Sequence, residues 1–299
     1  MGRAGPDHSA DPVNDNAPGN GMAALRYSEV PKAAFVDYRL RPSIDLPHVP
    51  RMDGSWFTIS LIVATYLLAG AVKGVIGMGL PTVALGILAS LITPAQAAAI
   101  LIAPSFATNI WQMVAGPYLL GLLKRLAGML LGMLVGGWLG AGIITGANAK
   151  PAAIGLGLAL VAYAAIGLLK VKFTVSRRSE IWVGPLVGLA TGFIMAATGV
   201  FVIPALPYLQ AIGLEKDELV QALGLHFTLS TAALSLILWH GGAFDASVGT
   251  LSLLAIAPAV VGMFLGQRLR QSISVTVFRY CLYGGLFILG AQLLWRHLT

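Results

Sequence analysis

Residues 70–82 read GAVKGVIGMGLPT, and residues 188–204 read GLATGFIMAATGVFVIP. Each segment lies inside a long apolar stretch, and the step from Gly70 to Gly77 recurs as Gly192 to Gly199, an offset of 122 positions (70 to 192, 77 to 199). Membrane-embedded segments with matching glycine interruptions predict a duplicated transporter whose binding site sits where the helices break. The expectation is that the two interrupted spans meet at mid-depth and present unpaired backbone amides to one guest.

The composition supports a bilayer as the solvent. The chain is 57% hydrophobic and 10% charged, with mean hydropathy +0.81, so a water-soluble fold would leave much apolar surface facing water. From Trp56 onward the acids are Glu180, Glu215, Asp217, Glu218 and Asp245, each at or near the end of an apolar run. The net charge of +7 comes mainly from this part, and such a surplus fits positive cytoplasmic loops and anionic lipid, not nucleic acid. Cys281 is the single cysteine, which leaves no intrachain disulfide and no cysteine cluster for a metal; no cofactor is expected.

Residues 1–55 are different in character, with proline recurring at Pro6, Pro12, Pro18, Pro31, Pro42, Pro47 and Pro50 among Asn, Asp, Gly and Arg. This composition predicts a disordered tail without a signal-peptide core, and a start at Met52 is an alternative reading of the same stretch. Beyond it, apolar runs fall at roughly 56–92, 95–116, 119–145, 151–170, 181–212, 218–240, 246–268 and 274–295. About 20 apolar residues cross the hydrocarbon core as a helix. The runs 56–92 and 181–212 exceed one simple crossing and carry the glycines. An all-α polytopic membrane protein with eight to ten transmembrane helices follows, organised as membrane repeats 56–178 and 179–299. At the same offset Thr108 and Asn109 fall on Ser230 and Thr231, and at an offset of 126 VGGWLG (135–140) falls on VGMFLG (261–266).

Basic clusters at Lys124 and Arg125, at Lys170, Lys172, Arg177 and Arg178, and at Arg268 and Arg270 should be cytoplasmic. Eight spans in parallel repeats put the third cluster outside; ten spans in inverted repeats put all three inside and the N-terminal tail outside. Trp56, Trp111, Trp182, Trp239 and Trp295 sit near run ends, as interfacial anchors do.

The patterns at 70–81 and 188–204, with the closing stretch GMFLGQRL at 262–269, resemble the glycine-rich repeat of the TauE/SafE family, the sulfite-exporter-like membrane proteins. The resemblance covers about residues 56–297. It implies movement of a small sulfur oxyanion or organosulfonate, such as sulfite, sulfoacetate or thiosulfate, across a cell membrane. The family's usual run of glycines after the break is replaced here by Gly77-Met78-Gly79-Leu80 and Gly199-Val200-Phe201-Val202, the second departing further.

The candidate substrate-binding residues stand on their own chemistry. Amides at the start of a helix that resumes after a break hold an oxyanion without a fixed charge, and Gly74, Gly77, Gly79 and Gly199 let it approach the backbone. Thr82 and Thr198 offer hydroxyls beside the two breaks. Lys73 lies about sixteen residues into its run, a costly depth for a cation unless it faces protein, water or an anion. Snorkelling to an interface is the alternative. His226 and Ser230 share a helix face, and His226 with Lys73 is a titratable group available for a coupled proton; a structural histidine bonded to a carbonyl is the competing role. Asn109 either binds a substrate oxygen or joins two helices. The spacings Gly70 to Gly74, Gly188 to Gly192 and Gly262 to Gly266 also suit close helix packing, which for the last pair is the preferred reading.

An intramembrane enzyme would need a nucleophile with a base, paired aspartates or an HExxH metal site, and the sequence has none of these patterns. The reading is therefore a secondary carrier, in the exporting sense, of a small anion in the cytoplasmic membrane, working by alternating access. A passive anion channel and a non-transporting membrane scaffold are the alternatives. The partners expected are the anion and membrane lipid, without nucleic acid, and a homo-oligomer is compatible with the sequence.

Overall fold

A computed structural model describes residues 56–146, 149–169 and 174–298. The stretch read as a disordered tail lies outside the described residues, as do Lys170 and Lys172 of the second basic cluster. The described chain is helical throughout: α1 (Trp56–Ile76), α2 (Leu80–Leu88), α3 (Pro94–Val114), α4 (Leu119–Leu139), α5 (Lys150–Leu169), α6 (Arg177–Thr198), α7 (Ala205–Ala211), α8 (Lys216–His240), α9 (Ala246–Leu254), α10 (Ile256–Leu269) and α11 (Val275–Leu298). Eight stretches are long and apolar enough to cross a membrane: α1, α3, α4, α5, α6, α8, the α9–α10 pair taken together, and α11. The short helices α2 and α7 are the exceptions.

Local chemistry sets the boundaries. Thr93 and Gln96 form a capping box at the start of α3, with Pro94 in the first turn, where its missing N–H costs nothing. Ser176 caps α6, Glu215 with Glu218 caps α8, and Asp245 caps α9. The run 246–268, read from sequence as one ordinary helix, is interrupted at Ala255. Pro258 has no N–H to give the Leu254 carbonyl and its ring crowds it, so the ladder is cut there.

The glycines divide into two kinds. Gly77, Gly79 and Gly199 have φ of +87°, +102° and +79°, a backbone that L-residues rarely adopt, and they lie where α1 and α6 end. Gly70, Gly74, Gly188 and Gly192, expected within the interruptions, instead lie inside continuous helix. A Cβ on Gly70 would overlap the Ala259 carbonyl and one on Gly74 the Met263 carbonyl, while Cβ atoms on Gly188 and Gly192 would overlap the carbonyls of Met129 and Met133. Gly262 and Gly266 do the same against Leu67 and Ala71. These positions let backbones touch; a lipid bilayer provides little other drive for two apolar helices to associate.

The same contacts fix helix direction. Leu67, Gly70 and Gly74 meet Gly262, Ala259 and Met263, so α1 and α10 run parallel; Gly132 and Gly136 meet Pro185 and Leu189, so α4 and α6 run parallel. Lys73 reaches Asn109 and Gly77 reaches Gln112, which makes α1 and α3 parallel. Met133 with Ser230, and Gly137 with Ile237, make α4 and α8 parallel. Gln112 with Val220 and Asn109 with Thr231 make α3 and α8 antiparallel. Two consequences follow. Because α1 and α3 share one sense, residues 77–93 must carry the chain back across the bundle through α2, and residues 199–215 do the same through α7 between α6 and α8. Because α6 follows α4 while α1 follows α3, α1 and α6 point in opposite directions. Lys124, Arg125, Arg177, Arg178, Arg268 and Arg270 then all fall on one face of the bundle.

Candidate functional site

Packing α1 against α10 through Gly70 and Gly74 turns the Lys73 side of α1 toward α3. Lys73 is 4% exposed and stands in the last turn of α1, where the free carbonyl ends favour a cation. Its Nζ donates to Thr108 Oγ1 at 3.0 Å and to Asn109 Oδ1. The Thr108 hydroxyl donates its own hydrogen to the Pro104 carbonyl at 2.9 Å, leaving its lone pairs for the ammonium. Asn109 is fully buried, and its Nδ2 donates across the bundle to Thr231 Oγ1 at 3.5 Å. An ammonium has three N–H groups and two are taken by neutral oxygens. Among the described residues Lys73 forms no ion pair; the ion pair found is Arg125 with Glu180.

The first break lies beside this cation. Gly77 N closes the last turn of α1 on the Lys73 carbonyl at 2.7 Å, and the Gly77 carbonyl accepts from Gln112 Nε2 at 3.2 Å. Gln112 Nε2 also donates to the Val220 carbonyl at 3.0 Å, joining α3, α8 and the break. After Gly79 the chain resumes as α2, whose first backbone bond is Val83 N to Gly79 O at 2.9 Å; the amides of Leu80 and Thr82 precede it and Pro81 has none to give. Tyr66 Oη, Thr82 Oγ1, Ser105 Oγ and Gln112 Oε1 are buried without a partner among the described residues, and all belong to α1, α2 and α3. Buried polar atoms are rarely left so, and of the four Thr82 and Gln112 stand closest to the break, Thr82 in the first turn of α2 and Gln112 bonded to the Gly77 carbonyl.

The second break is built differently. Thr198 turns its hydroxyl back to the Ile194 carbonyl at 2.7 Å and accepts from Val200 N at 3.1 Å. Gly199 then opens into residues 200–203 and the seven-residue α7, about two turns long. His226 is fully buried, with Nε2 2.9 Å from the Phe201 carbonyl and Nδ1 without a partner. Because a carbonyl only accepts, Nε2 carries the hydrogen. Ser230 Oγ bonds Met133 Sδ at 2.9 Å, toward α4.

The structure therefore gathers Lys73, Gly77 and Asn109 in one hydrogen-bonded group, with Gly79 and Thr82 following on α2, and places Thr198, Gly199 and His226 in a second. Gly74, expected to open the backbone to substrate, packs on α10 instead. Gly199 lies against Ala98 and Leu85, near the start of α3, whereas Gly77 is bonded to Gln112 near its end. The fourteen residues from 98 to 112 span roughly 21 Å along a helix. Gly77 and Gly199 thus lie at opposite ends of α3. Thr108 and Gln112 belong to the Lys73 group though the candidate set lacked them, and the Arg125–Glu180 ion pair, also outside that set, lies elsewhere between α4 and α6. Thr108 and Gln112 sit at i−1 and i+3 from Asn109, but nothing local in the sequence couples Arg125 to Glu180.

Comparison with known proteins places this geometry in a class. The family model described as Sulfite exporter TauE/SafE matches residues 62–293, which takes in both breaks and both polar groups. The chain belongs to the TauE/SafE family of membrane transporters and is a multi-pass membrane protein. No curated protein and no solved structure matches it.

Proposed function

We propose that the protein is a secondary carrier of a small anion, a sulfur oxyanion or organosulfonate such as sulfite or sulfoacetate, working outward across the cytoplasmic membrane. The observation that carries this reading is Lys73: a buried ammonium held by neutral oxygens, beside the start of α2, with no carboxylate paired to it among the described residues. An uncompensated cation in hydrocarbon surroundings costs several kcal/mol, and an anionic guest supplies the missing charge. Leu80 and Thr82 amides at the head of α2 add donors of the kind an oxyanion takes at a helix N-terminus. Sulfur oxyanions enter as the class attached to the family.

The carrier reading, as against a channel, draws on the antiparallel senses of α1 and α6 and on the exchanged pairings of α1 with α10 and α4 with α6. We infer two inverted repeats, 56–178 and 179–299, in which α2 and α7 are the returning arms. The repeats rock against each other about the α3–α8 contact where Asn109 meets Thr231. The test is exchange in proteoliposomes loaded with sulfite or sulfoacetate. External anion of the same kind is expected to accelerate release, with saturation; flux that rises linearly to high concentration with no acceleration from the far side contradicts a carrier and supports a channel.

A further inference from the structure

N-terminal to the α4–α6 glycine seam, the two helices and α7 line an open groove of about 340 Å³. One part of its wall is charged and polar, formed by Arg125, Arg177, Glu180 and Tyr208; the other is apolar, formed by Met129, Ile181 and Pro185. Glu180 neutralises one of the two arginines. Arg125 Nε and Nη2 meet its carboxylate at 2.9 and 2.6 Å, and Nη2 also reaches the Ile212 carbonyl at 2.6 Å. Arg125 Nη1 has no further partner among the described residues, and Arg177 forms no ion pair there. The polar end carries a surplus positive charge with open donors. Arg177 is the first residue of α6 and Arg125 lies in the second turn of α4, so this end of the groove stands at the basic face of the bundle, where a bilayer places its head groups.

We propose that this groove binds an anionic phospholipid of the leaflet on the basic face. Arg177 and the free Nη1 edge of Arg125 hold the phosphate, with the Tyr208 hydroxyl beside them, and the first methylenes of an acyl chain lie along Met129, Ile181 and Pro185. A free inorganic anion would satisfy the arginines and leave the apolar wall unused; a lipid matches both ends of the groove at the depth where each is found. The site is separate from Lys73 and does not depend on what the protein transports.

The experiment is native mass spectrometry of the full chain in neutral detergent, titrated with dioctanoyl phosphatidylglycerol, dioctanoyl phosphatidylcholine or inorganic phosphate. The protein is compared with Arg177→Gln and with Arg178→Gln, a neighbouring arginine outside the groove. Both positions are exposed on the first turn of α6, so neither change disturbs packing. The expected result is that the glycerol lipid binds more tightly than the choline lipid, that Arg177→Gln weakens it by about fivefold, and that Arg178→Gln leaves it unchanged. Inorganic phosphate is expected not to compete with the lipid. An equal loss in both variants, unaltered binding in Arg177→Gln, equal affinity for the two lipids, or displacement by inorganic phosphate overturns the assignment.

Discussion

Lys73 is a buried ammonium whose burial is costly without a counter-charge. Thr108 and Asn109 orient its ammonium but carry no charge to neutralise it. Asn109, which the sequence left divided between substrate ligand and helix glue, does the second visibly by spanning Lys73 and Thr231. The residue scale also holds a simpler device at Asp245, outside the membrane spans. Its carboxylate caps α9 through Val248 N at 2.8 Å and accepts from the Ser247 hydroxyl at 2.5 Å, and these bonds hold its acidity below the usual carboxylate range, the Ser247 contact contributing most. A carboxyl lowered in this way stabilises the fold above its unfolded value of about 3.9 and stops doing so as pH falls through the folded value. Asp245→Ala is expected to cost about 1 kcal/mol near neutrality. Thermal unfolding in detergent should show the gap between variant and parent closing as pH drops below the ordinary carboxylate range; a gap independent of pH contradicts the capping role.

At the scale of elements, small residues decide which helices touch. Gly188 and Gly192 of α6 face the Met129 and Met133 carbonyls of α4, and Gly262 and Gly266 of α10 face Leu67 and Ala71 of α1. Gly192→Leu would force backbones apart and is expected to lower the unfolding midpoint strongly, beyond the 1–3 kcal/mol of ordinary overpacking, since backbone cannot rotate out of the way. Gly284→Leu on α11, where a Cβ meets nothing within 4 Å, is expected to leave it nearly unchanged. Equal midpoints for the two variants would refute the packing role. Here the sequence was informative about one thing and ambiguous about another. Spacing alone marks Gly70, Gly74, Gly188 and Gly192 as special, but close packing and chain breaking demand the same residue. Only backbone dihedrals separate them, and these place the breaks at Gly77–Gly79 and Gly199. The cut at Ala255 was legible in Pro258, but it is hidden in an apolar run long enough to be a single helix.

At the scale of the whole molecule, parallel contacts of α1 with α3, and of α6 with α8 by way of α4, force the chain to return through α2 and α7. That route brings Lys124, Arg125, Arg177, Arg178, Arg268 and Arg270 to one face. A membrane-impermeant thiol reagent tests it on intact cells expressing variants made with Cys281→Ser, because Cys281 is itself exposed. Ser247→Cys, in the first turn of α9, is expected to react from outside, and Arg178→Cys and Arg270→Cys only after the cells are opened. Reaction of Arg270→Cys but not Arg178→Cys in intact cells would contradict the route. What composition could not convey is long-range pairing. The meeting of Lys73 with Asn109 joins positions 36 apart, and that of Asn109 with Thr231 joins positions 122 apart, so neither is visible in local periodicity.

The claim that an anion completes the charge of Lys73 is tested most directly by equilibrium binding. Purified protein, Lys73→Arg and Lys73→Ala are each titrated with sulfite and with sulfoacetate by calorimetry. The account predicts that at least one of these anions binds the parent, that Lys73→Arg keeps part of the affinity, and that Lys73→Ala loses roughly 10- to 100-fold, as expected for a charged hydrogen bond of about 1.5–3 kcal/mol. Parent-like affinity in Lys73→Ala, with both variants folded, would contradict it.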